Sequence, residues 1–409
     1  MSKTSPSDIS STSSKMLNWL SLTVIYAGFH ICVSAIMVGY LIWKKVNFAS
    51  LSSLMIASCA SWILAMGFAR LGVQQRKVFS QLAVVQLGSI GAKICGFSFA
   101  VALSGWFAIQ LNLMSETLCE MFPMLEYRAV NVLLGVGITL LILKEIVGIK
   151  KVAAASVPVL ILALIYILYK TSQEAVSTLS TATFSKNAMP DWTCVPLIIA
   201  FSIVGVIDTP TYASKCIDEK NAYLGISIIY LVLLPCIAFV GILLAIHNPH
   251  QDVVASIMHL EGGWWPLFAL IFLIFAGLTT NNGNLYSGIK ALEPFSWSYS
   301  HRVWLLGGLG TSISLFPIME HLSDFLSSIV ILNASLGGTI LGRFLGKGLK
   351  FSPTTLFDKR FYLTITALGA MAGIAGQMGI FSLSGYGFLD GFLCAFVFSV
   401  AYELYRNDK

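Results

Sequence analysis

Residues Leu278 to Gly288 read LTTNNGNLYSG, a row of hydroxyls and amides that directly follows the apolar run Pro266 to Gly277 with no charged loop between. Hydroxyl oxygens such as those of Thr279 and Thr280 suit a hard monovalent cation, because Na⁺ takes oxygen ligands. The amides of Asn281, Asn282 and Asn284 offer donor and acceptor together, which suits a neutral polar solute. Two readings are open. Asn282-Gly283 can be a turn between helices, which leaves Trp264 to Thr280 as a short span at the bottom of the range that crosses a bilayer. Otherwise these side chains line a water-accessible cavity inside a bundle.

Three further segments carry chemistry. In SGWFAIQLN, Ser104 to Asn112, Trp106 and Gln110 are four residues apart and share one helical face. An indole gives a flat surface for an aromatic solute, and a carboxamide can read that solute's edge. The competing readings are a membrane-belt Trp, although Trp106 lies near mid-span, and an interhelical hydrogen bond for Gln110. In IIAFSIVGVIDTPTYASK, Ile198 to Lys215, Gly205 and Pro210 interrupt helix continuity. There Phe201 is a candidate second aromatic wall, against ordinary packing, and Asp208 reads as a helix-end acid pairing with Lys215 or capping the DTPTY turn. In YAGFHICVSAIMVGY, Tyr26 to Tyr40, His30 is either a buried neutral histidine or a proton relay. Gly28, Ser34 and Gly39 would ease unwinding or close packing. Asp390 reads as a cap near the last span.

The elements that must hold these groups follow from composition. With 56% hydrophobic and 11% charged residues over 409 positions, the chain has too little polar surface for a soluble globule. Twelve apolar stretches have roughly the length of a spanning helix: Leu17 to Trp43, Leu51 to Arg70, Ile94 to Cys119, Ala129 to Val147, Val152 to Tyr169, Cys194 to Tyr212, Ala222 to Ile246, Trp264 to Gly288, Val303 to Met319, Leu326 to Leu345, Tyr362 to Gly379 and Gly385 to Leu404. The longest expected loops are Arg70 to Lys93 and Lys170 to Asp191. With a cytoplasmic N-terminus, 20 of the 25 Lys and Arg fall on the inner side, leaving Lys44, Lys45, Arg128, Lys170 and Lys186 outside. That bias satisfies the positive-inside rule and places both termini in the cytoplasm, with the protein in the cytoplasmic membrane.

The same pass excludes several classes. The eight cysteines are scattered without a CxxC pair, which argues against disulfide staples and metal sites. No GxxxxGK[ST] loop appears, so ATP is not the expected energy source. The net charge of +6 follows from the loop asymmetry and implies no nucleic acid. No HExxH or paired-carboxylate motif marks an enzyme. No cofactor and no obligate protein partner are expected beyond the lipid bilayer.

GWFAIQ in the third span, VGIKKVAAASVPVLIL after the fourth, D-x-P-T-Y at the end of the sixth and TTNNGNLYSG in the eighth resemble the nucleobase-cation symport family, and within it the bacterial cytosine permeases. The resemblance extends over nearly the whole chain in order and length. It implies an all-α polytopic membrane protein whose ten-helix core, two five-helix repeats of opposite topology, occupies residues 17–345. A disordered tail precedes it over 1–16, and two added helices follow over 346–409. It also implies first and sixth helices broken at the midplane, and a planar heterocycle held between Trp106 and Phe201. Gln110, Asn281, Asn282 and Asn284 would read its edge. A sodium site would use Thr279 and Thr280 with backbone carbonyls near Ala276 and around Ile31 to Ser34. The implied function is import of a nucleobase by sodium symport. The alternatives are proton-coupled import of another heterocycle such as hydroxymethylpyrimidine, and a neutral amino-acid transporter of similar fold. The chain departs from the family at Ala108, usually glycine, at Gly283 with Asn284, and at Thr211, usually arginine. Phe201 matches only with the spacing to Asp208 contracted by two.

Overall fold

The computed structural model describes residues 16–143, 147–181, 189–318, 321, 330–349 and 355–407. Almost all of these are helical, as a bilayer requires, since in hydrocarbon a segment must satisfy its own backbone hydrogen bonds. In order the helices are α1 (Trp19–His30), α2 (Val33–Val46), α3 (Ala49–Gln75), α4 (Phe79–Met121), α5 (Tyr127–Ile142), α6 (Val147–Thr181), α7 (Val195–Ile207), α8 (Thr209–Ala213), α9 (Glu219–Ser227), α10 (Leu234–His247), α11 (Val253–Met258), α12 (Trp265–Ala291), α13 (Tyr299–Ser314), α14 (Val330–Gly346), α15 (Leu356–Gln377) and α16 (Gly387–Asn407). Their starts carry the polar caps expected where a helix leaves the apolar phase. Asn18, Glu126, Asp218, Asp252 and Ser298 each accept from a backbone N–H of the first turn, and Thr355 with Asp358 forms a capping box.

Each of the twelve expected spans coincides with helix over most of its described length, the ninth running past the end of α13 at Ser314. Among the described residues seven helices are long and apolar enough to cross a membrane, and the bent pair α1–α2 makes an eighth; α5 and α14 are shorter apolar helices. The chain is a multi-pass membrane protein. The expected N-terminal tail lies, but for Met16, outside the described residues.

Two expected loops are largely helix. The segment Arg70 to Lys93 is not a loop: α3 runs on to Gln75, and α4 starts at Phe79 and carries a break at Gly88, whose φ is +74°. The reason is visible in the pattern Phe79, Leu82, Ala83, Gln86 and Leu87, one buried helical face. Likewise α6 runs to Thr181, past the expected loop start at Lys170, and 182–188 lie outside the described residues.

The first span breaks where the resemblance implied. Ile31 and Cys32 leave helical geometry, and α1 and α2 meet at 63°. The second half is pinned backbone to backbone on α10: a Cβ on Gly39 would lie 1.7 Å from the Ala238 carbonyl oxygen, and one on Gly241 1.8 Å from that of Ile36. The sixth span behaves differently from the expected midplane break. α7 and α8 are joined through Asp208 at near-helical angles and together form one 19-residue span. Pro210 sits in the first turn of α8, where its missing N–H costs no helical bond. In the seventh span a π-helical stretch, Ile228–Leu233, precedes Pro235.

The last three helices are held by small residues and buried charge. Along α14 a Cβ on Gly338 or Gly342 would strike the carbonyls of Phe392 and Phe396 at 2.3 and 2.5 Å, so α14 and α16 touch through their backbones. Glu403 accepts from Arg343 at 3.4 Å and from the Tyr362 hydroxyl, with Lys347 at 3.4 Å; Arg343, Tyr362 and Glu403 are fully buried. Asp390 accepts from Ser382 Oγ and the Ser384 N–H, so it caps the loop before α16.

Candidate functional site

A cavity of about 110 Å³ opens where α1 and α2 part, walled by α4, α7 and α12. An engineered apolar cavity of roughly 150 Å³ binds benzene, so this space is on the scale of one small ring. The helix break matters to its chemistry, because residues around Ile31 and Cys32 are released from the regular ladder beside the cavity.

Trp106 and Phe201 form its aromatic wall. Trp106 is 8% exposed, and the rings meet edge to face with centroids 5.1 Å apart at 90°. They touch rather than face each other across a slot, so a planar guest between them requires one ring to turn. Gln110, one turn along α4 from Trp106, is fully buried and donates from Nε2 to Ser34 Oγ at 2.6 Å. Its Oε1 has no hydrogen-bond partner. Ser34 also contacts Cys32 Sγ at 3.2 Å, which ties the amide of α4 to the break in the first span.

The α12 motif divides by helical face. Thr280, Gly283, Asn284 and Ser287, at i, i+3, i+4 and i+7, line the cavity. Asn281 and Asn282 are buried beside that stripe; Asn281 Nδ2 donates to the Phe107 carbonyl at 3.2 Å and so clamps α12 to α4. The stretch is continuous helix, not the turn that Asn282-Gly283 could have made. Gly283 is required for space, since a Cβ there would lie 2.5 Å from the Phe29 ring.

The hydroxyl pair sits among carbonyls. Thr280 Oγ1 donates to Ala276 O at 2.8 Å and to Phe29 O at 3.1 Å, and Thr279 Oγ1 donates to Phe275 O at 2.9 Å and Ala276 O at 3.1 Å. The first-span carbonyl that meets Thr280 is thus Phe29's. Ile31, which is buried, gives its N–H to Ala27 O, and Ser34 faces Gln110. Two hydroxyls and the carbonyls of Ala276 and Phe29 are a donor set that a hard cation could use once the hydroxyl protons rotate away.

Asp208, read from sequence as a helix-end acid, lines the cavity and is 5% exposed. It makes no ion pair with Lys215, whose Nζ donates to Tyr286 OH at 2.5 Å. Its carboxylate accepts instead from Thr211 Oγ1 and Ser287 Oγ, both at 2.5 Å, and Tyr212 OH donates to Ser287 Oγ at 2.8 Å. The signal that could have found this group is the spacing of Ser287 seven residues after Thr280. His30 lines the same space; its Nδ1 meets the Tyr26 carbonyl at 3.0 Å and its ring stacks on Tyr26 at 5.5 Å.

A polytopic helical protein with a first span broken beside a central cavity, opposite a hydroxyl-bearing α12, belongs to a recognised fold of membrane proteins. The structure of Mhp1, a nucleobase-cation-symport-1 family transporter, in a closed conformation with bromovinylhydantoin bound, matches 95% of this chain and 92% of its own at a TM-score of 0.73 and 17% identity. A Na⁺-coupled sialic acid symporter in its substrate-bound outward-open state matches 95% of this chain and 90% of its own, at 0.71 and 10% identity. A manganese transporter of Eremococcus coleocola matches 95% and 94%, at 0.61 and 14% identity. No family model and no curated protein matches the sequence. The expected likeness to the nucleobase-cation symport family therefore holds in the fold, which is that of Mhp1.

Proposed function

We propose that this chain is a secondary transporter that imports a planar nitrogen heterocycle, cytosine or a related nucleobase, across the cytoplasmic membrane by cation symport, with sodium as the coupling ion and both termini inside. The observation that carries the reading is the placement of Trp106, Phe201 and Gln110 in one ring-sized cavity at the break of the first span. Mhp1, which shares the fold, is described with a heterocycle bound, and the sialic acid symporter as Na⁺-coupled.

On this reading the ring lies against Trp106 after Phe201 or Trp106 turns, and Gln110 Oε1 accepts from it. Sodium bound by Thr279, Thr280, Ala276 O and Phe29 O would fix α12 against the end of α1, and thereby order the wall that the solute needs. That is coupling between two sites through a shared element. Residues 17–345 would form the carrier core, with 346–409 as an added helix pair, and no covalent step is involved. A manganese cargo fits less well, because among the described residues no group of three or more His, Cys, Asp or Glu could hold a metal ion.

A second reading, proton-driven import of another heterocycle such as hydroxymethylpyrimidine, is favoured by His30 lining the cavity. Initial-rate uptake of labelled cytosine into proteoliposomes decides between them. Uptake stimulated by an inward sodium gradient and competed only by related bases supports the sodium reading. Uptake driven only by a proton gradient selects the second, and uptake of neither cytosine nor a competing heterocycle refutes both.

A further inference from the structure

Asp208 is a buried carboxylate on the cavity wall with no cation beside it. Among the described residues no Lys, Arg or His nitrogen lies within 4.0 Å of it, and the nearby Lys215 is engaged by Tyr286. Two hydroxyls, from Thr211 and Ser287, each donate to one of its oxygens, so both oxygens act as acceptors, with about half of their acceptor sites open. A second acceptor is open on the same wall: Gln110 is fully buried, spends its Nε2 on Ser34 and leaves Oε1 without a partner. The Tyr26 hydroxyl, also without a partner, lines the space as well and can turn to donate or to accept, so Asp208 and Gln110 are the lining groups that demand a donor from the solute.

Taking the cavity as the solute site, we infer that Asp208 is its specificity residue and that it selects an amino-substituted nitrogen ring over the oxo-substituted counterpart. An ionised carboxylate can only accept. Set against an exocyclic amine it gains a charge-assisted hydrogen bond; set against a ring carbonyl it meets a second acceptor, and neither finds a proton. Gln110 Oε1 makes the same demand at its own position, so the solute that satisfies both carries N–H donors on separate edges. A ring N–H on one side and an amine across the ring meet this description. A ring with a carbonyl in place of the amine leaves Asp208 facing an oxygen, a repulsive element built into the site. Sites that hydrogen-bond a particular solute group reject analogues lacking it far more strongly than apolar pockets reject a missing methylene.

The test uses two pairs differing only in amine against carbonyl at one position: cytosine with uracil, and adenine with hypoxanthine. Binding to the purified full-length protein is measured by titration calorimetry, for the wild type and for Asp208→Asn, whose side chain keeps its size and gains a donor. Wild-type protein should favour the amino member of at least the pyrimidine pair by about tenfold or more, and Asp208→Asn should reduce that preference to within about threefold. Equal wild-type affinities within each pair overturn the inference, and the wild-type result stands even if the variant does not fold. A preference that survives in a folded Asp208→Asn variant also overturns it. If heterocycles bind without discrimination, only this inference fails; if none of the four binds, the reading of the cavity as a heterocycle site fails with it.

Discussion

Replacing Trp106 tests whether the aromatic wall touches the solute, and the structure sets the size of the effect. Stacking of a base on an aromatic side chain contributes about 1–3 kcal/mol. In this structure the indole also meets Phe201 edge to face at 5.1 Å, an arrangement worth about 0.5–1.5 kcal/mol that must be disturbed to admit a ring between them. Trp106→Ala removes both the gain and that cost. With mid-range values the net loss is about 1 kcal/mol, roughly fivefold in Kd, and it cannot exceed about 3 kcal/mol, roughly 150-fold. Trp106→Phe keeps a ring and should lose less. Because the indole is 8% exposed, truncating it also costs fold stability, on the order of 3–5 kcal/mol for a fully buried aromatic. Titration calorimetry with cytosine is therefore run beside thermal unfolding, and only folded protein is compared. A folded Trp106→Ala variant that binds cytosine as tightly as wild type would remove the indole from the site and refute the reasoning.

The C-terminal end of the sixth span offers a second test. Leu17 bridges Cys216, its N–H donating to Lys215 O and its carbonyl accepting from the Ile217 N–H, while the Arg76 guanidinium donates to the carbonyls of Ser214, Cys216 and Ile217. Beneath this seal burial pushes the Cys216 thiol up to about 11, with Arg76 opposing and Asp218 adding to the rise. Since the thiolate is the reactive form, opening the seal lowers the pKa and raises reactivity, by up to about a hundredfold near neutral pH. Maleimide labelling of Cys216, read by mass spectrometry, should accelerate in Arg76→Lys, which keeps the positive charge that holds the thiol down but loses the fork that spans three carbonyls; an unchanged rate would show that Arg76 does not hold the seal. Separately, Glu403→Gln removes the carboxylate that Arg343 and Lys347 share in the interior, and should cost about 3–5 kcal/mol, read as a lowered unfolding temperature. An unshifted unfolding temperature would mean that the packing of α14, α15 and α16 does not depend on this charge cluster.

The features that could be read from the sequence are those set by residue type along a single helix. Every span showed as an apolar run, and the Trp106–Gln110 pair and the Thr280-to-Ser287 stripe follow from helical spacing alone. Contacts between helices were hidden. Nothing local says that Asp208 turns to Ser287 on α12 rather than to Lys215 seven residues along its own segment, or that the threonines of α12 meet Phe29 O. Asn281 and Asn282 share residue type with Asn284, but only a helical register separates the two beside the cavity stripe from the one on it. The expected loop over Arg70 to Lys93 illustrates a different limit. Its charges, Arg76, Lys77 and Lys93, outweighed an amphipathic pattern that buries one face of α4 against its neighbours.

The central claim is that one cavity joins solute and ion through α12. The most direct measurement is the Kd of cytosine by titration calorimetry in sodium chloride and in choline chloride at equal ionic strength, for wild type and Thr280→Val, which keeps the shape and removes the hydroxyl. Sodium should tighten wild-type binding by roughly 5- to 150-fold, the usual span of coupling between linked sites, and should do little in Thr280→Val. A wild-type Kd that is the same in both salts would contradict the account.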